Sequence, residues 1–197
     1  MRLFLAIRPP RAALDHLEPA LDGVRDRAGR ALRWTEPEQR HLTLAFHPEV
    51  PAGAVDDVVA DAGRIAAGHG PLDLHLAGAG EFSHRTLWVG VGGQVRELGA
   101  LLAEPWLADD DGRDRRRAHL TVARVSAAAP RPRVRRRGEP RPPAPSTVLL
   151  AEAVRALTGY RGPEWTADEV EVVASRLGEG RSGGPLHEVL ATVPLRG

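Results

Sequence analysis

Apolar and polar positions fall in blocks along this chain, and the spacing switches between a period of two and a period near 3.6. Residues 2–7, Arg-Leu-Phe-Leu-Ala-Ile, read as a first strand. Pro9-Pro10 then open a helix with Leu14, Leu17, Leu21 and Val24 on one face. Pro19 falls inside that pattern and predicts a kink or two short pieces. A second strand covers about 40–46, and a helix with Val55, Val58, Val59, Ala62 and Ile65 spaced for burial runs from about Ala54 to Ala67. Leu72, Leu74 and Leu76 alternate with polar residues as a half-buried strand. Gly78-Ala79-Gly80 begins the connection to another strand at 86–91. Val95, Leu98, Leu101 and Leu102 mark a helix, and a strand follows at about 118–124. Residues 127–145, rich in Pro, Arg and Ala, predict no regular structure. A helix at about 147–158 ends at Gly159, and strands near 169–177 and 187–195 close the chain around the Gly-rich turn 178–184.

Adjacent strands without an intervening helix require hairpins, so the order predicts an α+β fold with mainly antiparallel sheets. The length of 197 residues suits one domain, 1–197. No apolar run approaches the ~20 residues of a membrane span, and the apolar start is too short for a signal peptide. The expected setting is the cytoplasm, with no membrane contact. The chain has no cysteine, which excludes disulfides and thiolate chemistry. Its net charge is +1, yet all 27 basic residues are arginine. Without lysine there is no Schiff base, no P-loop lysine and no lysyl-nucleotide intermediate. Arginine remains, with a planar fork suited to phosphate.

One local repeat carries chemistry. Residues 41–46 are His-Leu-Thr-Leu-Ala-Phe, and residues 119–124 are His-Leu-Thr-Val-Ala-Arg, identical at four of six positions. With eight His and eight Thr in the chain, composition alone predicts roughly 0.3 His-x-Thr matches. Two matches in one apolar–polar frame outweigh the bland alternative of edge strands carrying solvated His and Thr. Strand alternation places His41, Thr43 and Ala45 on one face and Leu42, Leu44 and Phe46 behind, and it does the same for His119, Thr121 and Ala123. Phe46 therefore reads as core. Arg124 falls on the parity opposite His119, and reaches the same face only if the strand ends or bulges near Ala123. Two imidazoles titrating near neutrality suit proton transfer at a phosphate ester, one as base and one as acid. Thr hydroxyls and an arginine suit the non-bridging oxygens. No metal cluster is evident, and His69, His75 and His84 show no ligand spacing.

At these residues the sequence resembles the 2H phosphoesterase superfamily. The nearest likeness within it is to the RNA 2′,3′-cyclic phosphodiesterases long labelled 2′-5′ RNA ligases. The likeness extends over Met1–Ile7, Trp34 with Glu36-Pro37-Glu38, both His-x-Thr motifs, Gly78 through Phe82, Leu87–Gly90 and Ser175–Leu177. It implies two αβ lobes related by a pseudo-twofold, with the active-site cleft between them and one motif strand from each. It also implies hydrolysis of an RNA-terminal 2′,3′-cyclic phosphate to a 2′-phosphomonoester without metal or cofactor. On that scheme His41 is the proton donor, His119 the proton acceptor, and Thr43, Thr121 and Arg124 hold the phosphate. The implied partner is RNA with a cyclic-phosphate end or a cyclic nucleotide, and the expected state is a monomer. Joining of such ends to a 5′-hydroxyl, a related cyclic-nucleotide activity and a non-catalytic RNA-binding module are the alternatives. The chain departs from the family at His47-Pro48, where Leu-Gly is usual and His47 becomes a candidate third imidazole. It departs also at Ala118, for a proline, and at His187, for a tyrosine. Five arginines between 131 and 137, and Arg113, Arg115, Arg116 and Arg117 beside the second motif, suit a polyanion, although Asp109, Asp110, Asp111 and Asp114 offset the latter group.

Overall fold

Residue order sets the layout: β1 (Arg2–Ile7), α1 (Arg11–Ala28), β2 (Leu32–Trp34), β3 (Leu42–His47), α2 (Val55–Ala66), β4 (Leu72–Phe82), β5 (Thr86–Gly93), α3 (Val95–Ala103), β6 (His119–Val125), α4 (Pro145–Leu157), β7 (Arg161–Ala167), β8 (Glu169–Arg176) and β9 (Leu186–Pro194). The computed structural model describes residues 1–106, 117–129, 143–180 and 184–197. Within them all strand pairs are antiparallel and join one sheet in the order β7-β4-β5-β6-β3-β1-β8-β9, with β2 added to β6. The class is α+β, as the alternation of periods predicts.

The sheet has the same plan from either edge. One half is β9-β8-β1-β3 and the other is β7-β4-β5-β6, so each His-x-Thr strand is innermost in its own half. The halves meet at β3 and β6 through one register pair, Leu42 opposite Leu120. Both leucines are 0% exposed. The pseudo-twofold relation passes through this pair.

The helices knit the halves together. α2 packs under β8 and β9, and α4 under β4 and β5. α1 follows β1 in sequence but packs against β7 and α4, in the opposite half. Its Leu14, Leu17, Leu21 and Val24 are all buried. That stripe runs unbroken across Pro19, and α1 is a single helix of 18 residues rather than two pieces. Proline inside a helix costs about 3 kcal/mol. Burying each of these large apolar side chains returns roughly 1.5–3 kcal/mol, so the stripe outweighs the break.

Two strands were not foreseen. β2 is only three residues long, and β7 contains Gly162-Pro163, which reads as a turn. β7 lies at the sheet edge, where a proline's missing N–H costs no ladder bond. β4 also continues through Gly78, where φ is +61° and the pairing with β5 shifts register. α4 begins at Pro145, two residues earlier than the spacing suggests, with proline in its first turn. The expectations for Arg113, Arg115, Arg116, Asp109, Asp110, Asp111 and Asp114, and for the arginines of 131–137, fall outside the described residues.

One buried charge anchors α1 to the entry of β3. Arg40 is 1% exposed, donates from Nε to the Thr35 carbonyl at 3.1 Å and pairs through Nη1 with Glu18. Arg25 also reaches Glu18, at 2.6 Å. Burial pushes the Glu18 carboxyl up, but hydrogen bonds from Arg40 and Arg25 outweigh it and hold it below its usual value. Removing one partner of a buried pair strands the other. Glu18→Ala is expected to lower the unfolding free energy by about 2–4 kcal/mol in a urea titration, and adding Arg40→Met to restore much of it. A loss under about 1 kcal/mol would show that Arg40 is satisfied without Glu18.

Candidate active site

The two motif strands share an irregularity that decides what faces the site. Between β1 and β3 the partners run Leu5–Ala45 and then Ala6–Thr43, which leaves Leu44 as an extra residue. Between β5 and β6 they run Leu87–Ala123 and then Trp88–Thr121, which leaves Val122 extra. At a bulge two residues oppose one, and the alternation of faces slips by one. Leu44-Ala45 and Val122-Ala123 are accordingly buried in succession, all at 0% exposure, and belong to the main core. Simple alternation fails here twice. Ala45 and Ala123 lie beneath the sheet, not beside the histidines. Phe46 returns to the histidine face, where it packs against Phe4, Ala6 and Val173 rather than in the main core. The same slip brings Arg124 to the cavity wall that carries His119 and Thr121.

Extending the Leu42–Leu120 register by one residue each way sets His41 opposite Thr121 and Thr43 opposite His119. On that register the two histidines are diagonal neighbours across the junction. Each ring is fixed in the same way. His41 Nδ1 bonds the Gln39 carbonyl at 2.7 Å, and His119 Nδ1 bonds the Arg117 carbonyl at 2.9 Å. A carbonyl only accepts, so Nδ1 carries hydrogen in both rings and Nε2 is free for proton transfer.

The surroundings of the two rings differ. His41 stacks on Phe4 at 4.4 Å between centroids and meets His187 edge-on at 5.4 Å. The third imidazole beside it is thus His187, on β9; His47 Nδ1 instead accepts the Glu49 N–H at 3.2 Å. His119 meets Phe82 edge-on at 4.8 Å and lies 6.2 Å from Trp88. Trp88 lies over Gly80, where any Cβ would collide with the indole, and under the Arg117 guanidinium. Trp34 packs against the core with Arg25 over its ring.

Arg8 adds charge next to His41. It grips Glu171 through Nε at 2.9 Å and Nη2 at 2.8 Å, and donates from Nη1 to the Glu38 carbonyl at 2.6 Å. Burial pushes the His41 imidazole down to about 4, against the opposing hydrogen bond to Gln39, and the positive charges of His187, Arg8 and His119 push the same way. Burial and Arg8 likewise lower His187. His41 is therefore neutral at pH 7 while the site is empty. An anion bound between the rings acts in the opposite sense and raises it.

An open cavity of ≈ 670 Å³ lies on the β6 side, lined by His119, Thr121, Arg124, Phe82, Arg33 and Arg85 among others. His41 and Thr43 are not in its wall; they belong to the β3 row that meets it at Leu42–Leu120. Sequence reasoning missed Arg8, Glu171, Phe4, Phe82, Arg33 and Arg85. Glu171 carried a signal, since a carboxylate inside the apolar run Val170-Glu171-Val172 is costly unless a cation partners it. Among the described residues no group of three His, Asp or Glu side chains is placed to hold a metal ion. Among them, too, no helix is long and apolar enough to cross a membrane.

The sequence profile of the 2′-5′ RNA ligase superfamily matches residues 9–175. The chain belongs to that superfamily. Two curated relatives of this superfamily member are named RNA 2′,3′-cyclic phosphodiesterase. The one from Geobacillus stearothermophilus is 35% identical over 99 residues, and the one from Methanothermobacter thermautotrophicus is 32% identical over 98. Each alignment spans 46% of this chain, and they cover 32% and 51% of the two relatives, so the chain aligns with about half of them or less. Among solved structures, TT0787 of Thermus thermophilus superposes with a TM-score of 0.68 at 25% identity, covering 100% of this chain and 99% of that one. Escherichia coli LigT in apo form gives 0.64 at 22%, covering 100% and 98%, which is a likeness of fold.

The depressed His41 makes a sign-definite prediction for this superfamily member. A histidine lowered by folding contributes stability that is complete above its unfolded value of about 6.5 and lost as pH falls toward about 4. The unfolding free energy is expected to fall across that window by on the order of 2–3 kcal/mol from this group, and His41→Gln to flatten that part of the curve. In an NMR titration, His41 should titrate near 4 in the free protein and move upward with inorganic phosphate. A free His41 titrating near 6.5 would contradict this account of the site.

Proposed function

We propose that the protein hydrolyses an RNA-terminal 2′,3′-cyclic phosphate to a 2′-phosphomonoester by acid–base catalysis between His41 and His119. The observation that carries this reading is the meeting of two matched His-x-Thr rows at Leu42–Leu120, each histidine with Nδ1 tied to a carbonyl and Nε2 free. The names of the two curated relatives support the substrate class.

In the proposed reaction His119 Nε2 takes a proton from water as its oxygen attacks phosphorus. The bond from phosphorus to the 3′ oxygen breaks, and His41 Nε2 returns a proton to that oxygen. Solvent exchange restores both rings. His41 has to be protonated for this step: burial, with the positive neighbours adding to it, holds the ring low, and the negative phosphate of the substrate acts in the opposite sense. Thr43 and Thr121, one opposite each histidine, donate to non-bridging oxygens, and Arg124 meets the charge that develops there. Each proton transfer is worth about 10²–10⁴-fold.

An oligonucleotide ending in 2′,3′-cyclic phosphate, incubated in EDTA, should be converted to the 2′-phosphate. His41→Ala and His119→Ala should each lose at least about 100-fold in turnover. No conversion by the wild type, or full conversion by both variants, refutes the proposal, and a 3′-phosphate product refutes the donor assignment of His41. A 5′-hydroxyl RNA added as acceptor tests the joining reaction, in which that hydroxyl replaces water.

A further inference from the structure

Three arginines stand on the cavity wall beyond the reacting centre. β2 pairs with the far end of β6 so that Arg33 is directly opposite Arg124, and Thr86 of β5 faces Arg124 from the other side. Arg85 precedes Thr86, and its carbonyl accepts the Val125 N–H at 2.8 Å, which fixes it at the end of the same row. Arg33, Arg85 and Arg124 all line the cavity that holds His119.

Folding gives no reason for this arrangement. Like charges directly opposite each other on neighbouring strands are destabilising. Among the described residues Arg8, Arg11, Arg25, Arg40, Arg64, Arg161 and Arg176 pair with a carboxylate, and others, such as Arg30 and Arg96, stand alone on the surface rather than in a cluster. Arg33, Arg85 and Arg124 pair with none among the described residues, and no acidic side chain is among the residues lining their cavity.

The neighbouring turn carries strain at the same place. Ser83 and His84 join β4 to β5 with φ of +51° and +53°, a conformation that costs residues other than glycine. The connection Ser83-His84-Arg85 is closed by the Arg85 N–H donating to the Phe82 carbonyl at 2.9 Å, which sets Phe82 and Arg85 at its two ends. Phe82 touches His119 and Arg85 lies farther along the same wall.

We propose that Arg33 and Arg85 form a second phosphate subsite, which holds the internucleotide phosphate next to the reacting end. The inference rests on the reading of the site as a cyclic phosphodiesterase and narrows its substrate to an RNA strand rather than a cyclic mononucleotide. The reacting phosphate lies between the histidines with Arg124, and the strand leaves past Phe82 toward Arg85 and Arg33. A planar guanidinium suits this task because it binds two phosphate oxygens at once.

The test compares three substrates: adenosine 2′,3′-cyclic phosphate, the dinucleotide ApA ending in 2′,3′-cyclic phosphate, and that dinucleotide with a neutral methylphosphonate linkage. Wild-type kcat/KM should favour the charged dinucleotide over the mononucleotide by about 10- to 100-fold, as charge-assisted bonds to one phosphate allow. The methylphosphonate should fall to the mononucleotide level. Arg33→Gln with Arg85→Gln should abolish the preference and leave mononucleotide turnover within about twofold, which also reports an intact fold. Equal rates on all three substrates, a preference kept by the methylphosphonate, or parallel loss on every substrate in the variant would overturn the subsite.

If the wild type turns over none of them, the cyclic-phosphodiesterase reading has failed, and binding decides the subsite separately. The dinucleotide ending in 2′-phosphate should then bind more tightly than adenosine 2′-phosphate. The slope of log affinity against log salt should drop by about 0.7 in the variant, the value for one single-strand phosphate contact. Equal binding, or an unchanged slope, would overturn it.

Discussion

One apolar pair governs the site: Leu42 against Leu120, the whole of the contact in register between β3 and β6. The strands are in register only there, and that pair sets which residues flank the junction on each strand. Carried one residue either way, its register directs His41 toward Thr121 and Thr43 toward His119. A slip of one residue would bury the histidines and expose the leucines, exchanging every functional group for a core group. The register is held by the cost of exposing two fully buried leucines, and the chemistry of the site rides on that cost.

Around this symmetric centre the chain builds unequal environments. The His41 ring lies against Phe4 and His187, with Arg8 nearby and clamped to Glu171. The His119 ring lies at the open cavity with Phe82 and Trp88 beside it. The two rings share a tautomer but not their surroundings. Burial sets the direction for His41, and a bound anion is the natural counterweight. The all-arginine composition fits the same economy, since none of these cations loses its charge near neutrality.

Much of this was legible in the sequence because strands and helices with one buried face announce themselves by period. The motif repeat exposed the two strands that matter, and the resemblance it supports gives the pseudo-twofold plan that the sheet follows. Three things were hidden, each for a physical reason. The bulges at Leu44 and Val122 depend on how β1 and β5 pair with the motif strands, and no local pattern within 41–46 or 119–124 reports that. Ala45, Ala123 and Phe46 were therefore assigned to the wrong faces, while the parity problem of Arg124 pointed at the feature that resolves it. β7 was hidden because Gly162-Pro163 punctuates like a turn, and only an edge position makes it a strand. Arg33 and Arg85 come from segments 52 residues apart in the sequence and meet only because β2 joins the far end of β6.

The extra residue in each motif strand also separates two jobs that an unbroken strand would merge. Positions two, four and five of the motif are tied to the core, and both copies keep the first five positions nearly the same. The sixth position is carried back to the working surface with no duty in the interior, and there the copies diverge, to phenylalanine in one and arginine in the other. The two copies thus end in different surroundings: Phe46 lies beneath the Arg2 guanidinium beside Phe4, Ala6 and Val173, while Arg124 lies on the cavity wall with Arg33 and Arg85.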